Sequence, residues 1–189
     1  MRVISGSAKG RRLYAPGRLD IRPTSDKVKE SLFNVLGQRV YESSFLDLCA
    51  GSGAVGIEAL SRGAREVSFV DYSRESLELV KKNINLCGFG SSGLPKVNLI
   101  SLEGERAIDK FAADGISFDF VFVDTPYHGD ILDIILAKIG LYPLILAEDG
   151  MLIVEHYSKR GIPDHVGPLT LDRSKRYGDT TLSYYSSKT

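Results

Sequence analysis

From residue 44 onward, the chain alternates short apolar runs with longer stretches in which apolar residues recur every three or four positions. The short runs have the length of buried strands, and the longer stretches have the period of helices that pack one face on a sheet. The predicted strands cover residues 45–49, 66–71, 97–102, 118–124 and 151–156. The predicted helices between them cover residues 54–62, 74–86, 105–113 and 130–139. This alternation is typical of βαβ units, so we predict an α/β fold with a mostly parallel sheet.

The C-terminal part of the chain follows another pattern. After residue 165 the helical period does not return, and residues 169–177 and 180–186 are rich in Tyr and Thr. Gly178-Asp179 between these runs predicts a tight turn, and therefore an antiparallel hairpin that closes one edge of the sheet. With this hairpin the predicted sheet has seven strands.

The first 43 residues also differ from the rest. Short runs at residues 3–5 and 12–14 predict a small β-hairpin, and apolar residues at Val28, Leu32 and Leu36 predict a helix over residues 26–36. Thr24 or Ser25 can cap the start of that helix. We therefore divide the chain into a basic N-terminal hairpin and helix, residues 1–43, and an α/β domain, residues 44–189.

Composition narrows the class of protein. The chain has 189 residues, 43% hydrophobic and 25% charged, which is ordinary for one globular domain. Its two cysteines, without a Cys/His cluster, argue against a disulfide framework or a metal site. No apolar run reaches the roughly 20 residues of a membrane span. Residues 1–22 lack the apolar region of a secretory signal, so we expect a cytoplasmic protein away from membranes.

The net charge of zero conceals a segregation of charge along the chain. Residues 1–30 carry eight Lys/Arg against three Asp/Glu, and residues 156–189 carry six against three. Residues 31–155 carry 10 Lys/Arg against 18 Asp/Glu. Two basic ends that meet in space form a positive patch able to bind phosphates. A solvated surface with random variation explains the same counts, so composition alone leaves both interpretations open.

A glycine motif follows the first predicted strand. Gly51, Gly53 and Gly56 have the spacing G-x-G-x-x-G, and Asp71 stands 20 residues after Gly51 at the end of the next strand. In this context the glycines let the backbone turn tightly and approach a nucleotide, and the acid accepts hydrogen bonds from ribose hydroxyls. The alternative is that these glycines only allow the helix to pack closely on the strand.

Two ligands fit this motif, a dinucleotide such as NAD and S-adenosylmethionine. In the first case a pyrophosphate would face the helix N-terminus, and an acid at the end of the first strand would repel it. Asp47 occupies that place, and its carboxylate suits the ammonium of S-adenosylmethionine instead. The predicted donor-binding residues here are Asp47, Ala50, Gly51, Ser52, Gly53, Asp71 and Tyr72.

A second motif, Asp124-Thr125-Pro126-Tyr127, follows the fourth predicted strand. Ligands of doubly wound sheets bind outside the carboxyl ends of the strands, so this motif is expected to face the same crevice as the glycines. The exocyclic amine of a purine is a poor nucleophile because its lone pair is delocalised into the ring. Asp124 and a backbone carbonyl can accept its two hydrogens while Tyr127 stacks on the base. The alternative is a plain turn after a buried strand.

Together these segments resemble the bacterial 16S ribosomal RNA guanine-N2 methyltransferase family, nearly from end to end. The matching segments are Gly10-Arg11, Arg22-Pro23-Thr24 with Asp26, Glu30, Phe33 and Asn34, residues 47–63, the Asp-x-Pro-Tyr motif and Tyr177-Gly178-Asp179-Thr180. The resemblance implies a Rossmann-like class I methyltransferase fold and a basic hairpin that contacts RNA. The residues assigned to that contact are Lys9, Arg11, Arg12 and Arg22.

The sequence departs from the family pattern at one position of the Asp-x-Pro-Tyr motif. The family pattern is Asp-Pro-Pro-Tyr, and Thr125 stands at its second position. The group expected to act there is a backbone carbonyl, which Thr also has, and Pro126 restricts Thr125 to extended backbone. Glu105 matches a place where the family commonly has an Asp near the adenine ring, although an acid at a helix start explains it equally well.

The function favoured by these residues is methyl transfer from S-adenosylmethionine to the N2 amine of a guanine in 16S rRNA. The expected substrate is an assembling or assembled small ribosomal subunit, and we expect a monomer. An adenine-N6 methyltransferase acting on DNA or RNA is the nearest alternative, because Asp-x-Pro-Tyr can hold either amine. An NAD-dependent oxidoreductase and a non-catalytic RNA-binding module are further alternatives. Asp47 disfavours the former, and the latter requires that Thr125 disables the site.

Overall fold

The computed structural model describes residues 1–15, 24–90, 95–126 and 129–187. The helices are α1 (Asp26–Leu36), α2 (Ala54–Ser61), α3 (Arg74–Cys87), α4 (Gly104–Ala113) and α5 (Ile131–Leu141). The strands are β1 (Ser44–Leu48), β2 (Glu66–Asp71), β3 (Lys96–Ser101), β4 (Phe118–Asp124), β5 (Leu146–Tyr157), β6 (His165–Val166), β7 (Leu169–Tyr177) and β8 (Thr180–Ser187). In the part of the chain described, no helix is long and apolar enough to span a membrane.

One mixed sheet runs through the molecule in the order β3-β2-β1-β4-β5-β8-β7-β6. Strands β1 to β5 are parallel, and β8 lies antiparallel beside β5. The predicted α/β class and the C-terminal hairpin are therefore confirmed. The sheet has eight strands rather than the predicted seven, because residues His165 and Val166 pair with β7. Two residues are too few to give a strand pattern in the sequence.

Strand β5 is longer than its prediction. It begins at Leu146 and not at residue 151, and its register with β4 shifts between Phe118 and Phe120. The polar residues Glu148, Asp149 and Gly150 lie in this irregular stretch, and Asp149 has a positive φ of 59°. A polar triplet ending in glycine is typical of a turn, so the sequence pattern hides a strand that continues through a bulge.

The predicted N-terminal hairpin is present, but it is shorter than predicted. Residues 3–5 and 12–14 form no full strand, and the pairing is an isolated antiparallel bridge between Arg2 and Arg12. Backbone hydrogen bonds flank this bridge, from Val3 N to Arg11 O at 3.0 Å and from Leu13 N to Met1 O at 3.2 Å. The amides of Ile4 and Ser5 donate instead to the carboxylate of Glu58 on α2, at 2.7 and 3.0 Å. The pairing therefore stops after Val3, where a side chain from a distant helix accepts the next two amides.

Both faces of the sheet are covered by apolar side chains. On one face, Val3 and Phe33 from the N-terminal part pack in the same cluster as Phe45 and Phe120 of the sheet. On the other face, Phe111 of α4 lies in a second cluster with the apolar residues of α5. Helix α1 matches its predicted bounds, and Ser25 caps it by accepting a hydrogen bond from Val28 N at 3.3 Å. The N-terminal segment also reaches the turn that follows β1, where Ser52 Oγ donates to Met1 Sδ at 3.3 Å.

Candidate functional site

The turn between β1 and α2 carries the glycine motif. Gly51 and Gly53 have φ values of 56° and 74°, in the left-handed region that favours glycine. The amide of Gly53 donates to Ala50 O at 2.8 Å, which closes the turn before α2 starts. A Cβ placed on Gly51 would meet no heavy atom within 4 Å. The backbone at Gly51 is therefore accessible to a ligand.

Asp71 at the end of β2 is bonded directly to this turn. One carboxylate oxygen accepts the amide of Gly51 at 2.9 Å, and the other accepts the amide of Ser73 at 2.8 Å. The side chain is buried, whereas its neighbour Tyr72 is 76% exposed. Asp71 thus has a fixed position beside the glycine turn, and the exposed ring of Tyr72 borders the same strand end.

Asp47 lies in β1 beneath the turn. Only 2% of this residue is exposed, and its Oδ2 accepts the amide of Gly56 at 2.9 Å. Burial and, to a smaller extent, the negative charge of Asp71 together raise the pKa of the carboxyl to about 7, although the hydrogen bond from Gly56 lowers it. A cation brought close to Asp47 would favour its ionised form, so this carboxyl is suited to respond to an ammonium group.

Asp124 ends β4, which lies between β1 and β5 in the sheet. Thr24 Oγ1 donates to Glu155 Oε2 at 2.9 Å and lies 3.5 Å from Asp124 Oδ2. Burial and the negative charges of Glu155 and Asp47 hold the pKa of Asp124 well above its usual value. Thr125 is buried and Pro126 is exposed, so the motif turns from the sheet towards solvent at this point.

The acids of the two motifs converge at one end of the sheet. Burial raises the pKa of the Cys49 thiol to about 12, and the negative charges of Asp71, Asp124, Asp47 and Glu105 raise it in the same direction. One thiol near the end of β1 is therefore within electrostatic reach of four carboxylates that come from different elements. The structure brings together these predicted residues, which stand up to 77 positions apart in the sequence.

Three of the predicted RNA contacts lie on the N-terminal segment. Lys9, Arg11 and Arg12 are exposed on the N-terminal loop that rests on α2. Residues Arg2, Val3, Ile4, Lys9 and Gly10 line a shallow cavity of about 150 Å³. Two predicted site residues, Arg22 and Tyr127, lie outside the described residues.

Thr24 and Glu155 join the candidate site although sequence analysis assigned them no role in it. Ser25 is the cap of α1, so the side chain of Thr24 is available to reach Glu155, 131 residues away. The signal for Glu155 was a charged residue inside the apolar run of the fifth predicted strand. A buried acid next to a predicted site is a candidate for a role in that site.

Asn83 is a third residue that sequence analysis missed. Its Nδ2 donates to Ser52 O at 3.0 Å and to Tyr14 O at 3.1 Å, and its Oδ1 accepts the amide of Tyr14 at 2.8 Å. It therefore ties the N-terminal segment to the glycine turn. Its signal was a polar residue on the apolar stripe of α3, beside Ile84.

Comparisons with known proteins show the family of this chain. The family model described as conserved hypothetical protein 95 matches residues 1–186. The chain is 39% identical over 188 residues to the Bacillus subtilis (strain 168) protein YlbH, covering 100% of both. It is 31% identical over 187 residues to ribosomal RNA small subunit methyltransferase D of Escherichia coli (strain K12), covering 98% of this chain and 89% of the relative. The solved structure of yhhF from Escherichia coli is 29% identical and has a TM-score of 0.83, covering 100% of this chain and 98% of that one. The chain therefore belongs to the family described as conserved hypothetical protein 95.

Proposed function

We propose that this protein transfers a methyl group from S-adenosylmethionine to the N2 amine of a guanine in small-subunit ribosomal RNA. The observation that carries the proposal is the meeting of the glycine turn, Asp71 and Asp124 at one end of the sheet. Ligands of doubly wound sheets bind at that end. The relationship to ribosomal RNA small subunit methyltransferase D supports the reaction class and the RNA substrate.

The residues around the glycine turn fit a nucleoside that carries an ammonium group. Asp71 is placed to accept hydrogen bonds from ribose hydroxyls, and Asp47 to pair with the ammonium. The open backbone at Gly51 gives room for close approach, and Tyr72 and Glu105 are assigned to the adenine side. When bound, S-adenosylmethionine supplies a methyl group on a positively charged sulfur.

Asp124 and the carbonyl of Thr125 are proposed to hold the target amine by accepting its two hydrogens. In this arrangement the lone pair of the nitrogen is not delocalised into the ring. It points out of the ring plane, towards the donor side of the crevice. As the nitrogen forms its bond to the methyl carbon, the bond between that carbon and the donor sulfur would break and leave a neutral thioether. The proton that the nitrogen loses would pass to the carboxylate of Asp124. Pro126 keeps Thr125 in extended backbone, and Tyr127 is proposed to stack on the base.

Residues 1–43 are proposed to act as the RNA-contacting extension of the α/β domain, with Lys9, Arg11, Arg12 and Arg22 on phosphates. We propose a cytoplasmic monomer that acts on the assembling or assembled small subunit. The exposed basic side chains support the RNA contact, because Lys and Arg supply most of the affinity for a phosphate backbone.

Analysis of methylated nucleosides tests the proposed reaction. Ribosomal RNA from cells that lack the protein should lose one N2-methylguanosine, and the purified protein should restore it on small subunits or their RNA. The restored mark should disappear when Asp124 is changed to Ala. If N6-methyladenosine is lost instead, the protein is an adenine methyltransferase. An unchanged nucleoside profile would refute methylation of ribosomal RNA.

The RNA surface is tested by removing charge without removing residues. Val3 and Leu13 are buried in the core, so deletion of the segment would confuse binding with folding. Joint substitution of Lys9, Arg11 and Arg12 by Gln should weaken RNA binding and leave donor affinity unchanged. Each lost phosphate contact should flatten the slope of log affinity against log salt by about 0.7 to 0.9.

Lys110→Gln is the control for that experiment, because Lys110 is exposed on α4 and pairs with Asp114. It should change neither RNA affinity nor the salt slope. A salt slope in the triple variant equal to that of the wild type would show that the N-terminal charges do not contact phosphates.

A further inference from the structure

Three polar side chains form a cluster beside the proposed amine pocket, in which Thr24 and Glu155 are buried and Asp124 is half-buried. Asp124 of β4 and Glu155 of β5 are register partners in parallel strands, so their side chains project from the same face of the sheet. Thr24 precedes α1, and its one hydroxyl donates to Glu155 at 2.9 Å while lying 3.5 Å from Asp124. Two carboxyl groups from neighbouring strands therefore share one hydroxyl donor.

Burial disfavours negative charge on Asp124 and Glu155. Glu155 is 3% exposed and Thr24 is 7% exposed, so water stabilises little of any negative charge there. When two carboxyl groups lie close together in such a place, the loss of one proton makes the loss of the second harder. The two groups therefore titrate as a coupled pair. The pair therefore retains a proton to a higher pH than an isolated aspartate.

We infer that Glu155 is a positioning residue that, together with Thr24, decides when Asp124 carries a negative charge and can accept hydrogens from an amine. Glu155 opposes the loss of the Asp124 proton by repulsion. Thr24 favours it because its hydroxyl, which lies 3.5 Å from Asp124, can turn from Glu155 and donate its hydrogen to the Asp124 anion. That Asp124 holds an amine rests on the proposed function. That Glu155 and Thr24 control the charge of Asp124 rests on their positions beside it.

Other elements also present charges to Asp124. On β1, Asp47 raises the pKa of Asp124 by repulsion, and the Cys49 thiol near the end of that strand faces the same carboxylate. On β5 the facing charge is Glu155, and on the segment before α1 the facing polar group is Thr24. Asp47 and Cys49 are unchanged in the variants below, so differences between the variants report on Glu155 and Thr24.

Substitutions of Glu155 and Thr24 should shift the titration midpoint of Asp124 in opposite directions. Both shifts can be measured on the protein without donor or RNA. Carbon-13 signals of aspartate carboxyls are followed against pH, and Asp124 is assigned by the signal missing in Asp124→Asn. Glu155→Gln keeps the shape and an acceptor oxygen for Thr24 but removes the charge, so the midpoint of Asp124 should fall by about one pH unit or more. Thr24→Val keeps the shape but removes the donor, so the midpoint should rise.

Asp119→Asn is the matched control. Asp119 lies at the other end of β4 and accepts hydrogen bonds from the amide and hydroxyl of Ser44. Removing its charge should leave the midpoint of Asp124 in place. A midpoint that stays or rises in Glu155→Gln, or falls in Thr24→Val, would overturn the inference.

The pH profile of methyl transfer gives a second readout. The acidic limb of kcat should move to lower pH in Glu155→Gln and to higher pH in Thr24→Val, in step with the titration. A purely structural role would lower kcat at every pH without moving the limb, and that result would overturn the positioning role. If the wild type transfers no methyl group while the midpoints shift as expected, the proposed function fails and the control of the Asp124 charge stands.

Discussion

Gly56→Ala tests the contact between α2 and the sheet. Gly56 lies in α2, where alanine is normally the better helix former by about 1 kcal/mol. A Cβ at this position would lie 2.3 Å from Cε1 and 2.7 Å from Cζ of Phe69, and 3.0 Å from Oδ2 of Asp47. Carbon atoms in contact normally stand about 3.5 to 4 Å apart, so helix and strand must separate or the ring must move.

The ring of Phe69 has little freedom to move, because it is fully buried between α2 and the rest of the core. Adding a methyl group to a packed core costs about 1 to 3 kcal/mol, and the gain in helix propensity offsets about 1 kcal/mol of this. Because the overlap with Phe69 is severe, the cost lies in the upper part of this range, about 2 to 3 kcal/mol. After the offset we expect the free energy of unfolding to fall by about 1 to 2 kcal/mol, whereas helix propensity alone would raise it. The melting temperature should fall by about 2 to 8 °C for a chain of this size.

Urea and thermal unfolding of the purified variant measure this loss. Gly161→Ala is the control, because a Cβ there meets nothing within 4 Å, and its stability should stay the same or rise slightly. A double-mutant cycle with Phe69→Leu should reduce the loss from Gly56→Ala, since the smaller side chain makes room. Stability of Gly56→Ala equal to or above that of the wild type would refute the steric argument.

Three further outcomes concern the candidate site. Asp71→Ala should weaken S-adenosylmethionine binding by about ten- to a hundredfold in calorimetry, because a hydrogen bond to a charged group contributes about 1.5 to 3 kcal/mol; equal affinity in a folded variant would remove Asp71 from the donor site. Asp124→Ala should keep donor affinity and lower methyl transfer by about 10² to 10³ in single-turnover assays, whereas Thr125→Pro should stay close to wild type. Since the pKa of Asp47 is about 7 and the ammonium requires its ionised form, donor affinity should decline as the pH falls below 7. Asp47→Asn should bind weakly at every pH, and a wild-type pH dependence in that variant would exclude Asp47 as the cause.

Local periodicity determined most of the fold. The apolar stripe at Val28, Leu32 and Leu36 gave a helix with the observed bounds, and the strands over residues 66–71 and 118–124 also matched. Buried positions recur about every 3.6 residues in a helix and every second residue in a strand. The spacing of apolar residues therefore predicts both the type of element and the face that it buries. The glycine spacing likewise predicted that Gly51 and Asp71 would meet, and they are joined by a hydrogen bond of 2.9 Å.

Tertiary structure decided the contacts that have no local signal. Ile4 and Ser5 looked like strand residues, yet their amides bond to Glu58, more than 50 residues away. Thr24 had the pattern of a helix cap, yet its hydroxyl bonds to Glu155. Sequence spacing tells which groups must be buried or bonded, but a polar group accepts any partner of suitable chemistry that the fold brings within reach. The choice of partner was therefore fixed only when β4, β5 and the N-terminal segment came together, and with it the charge environment of Asp124.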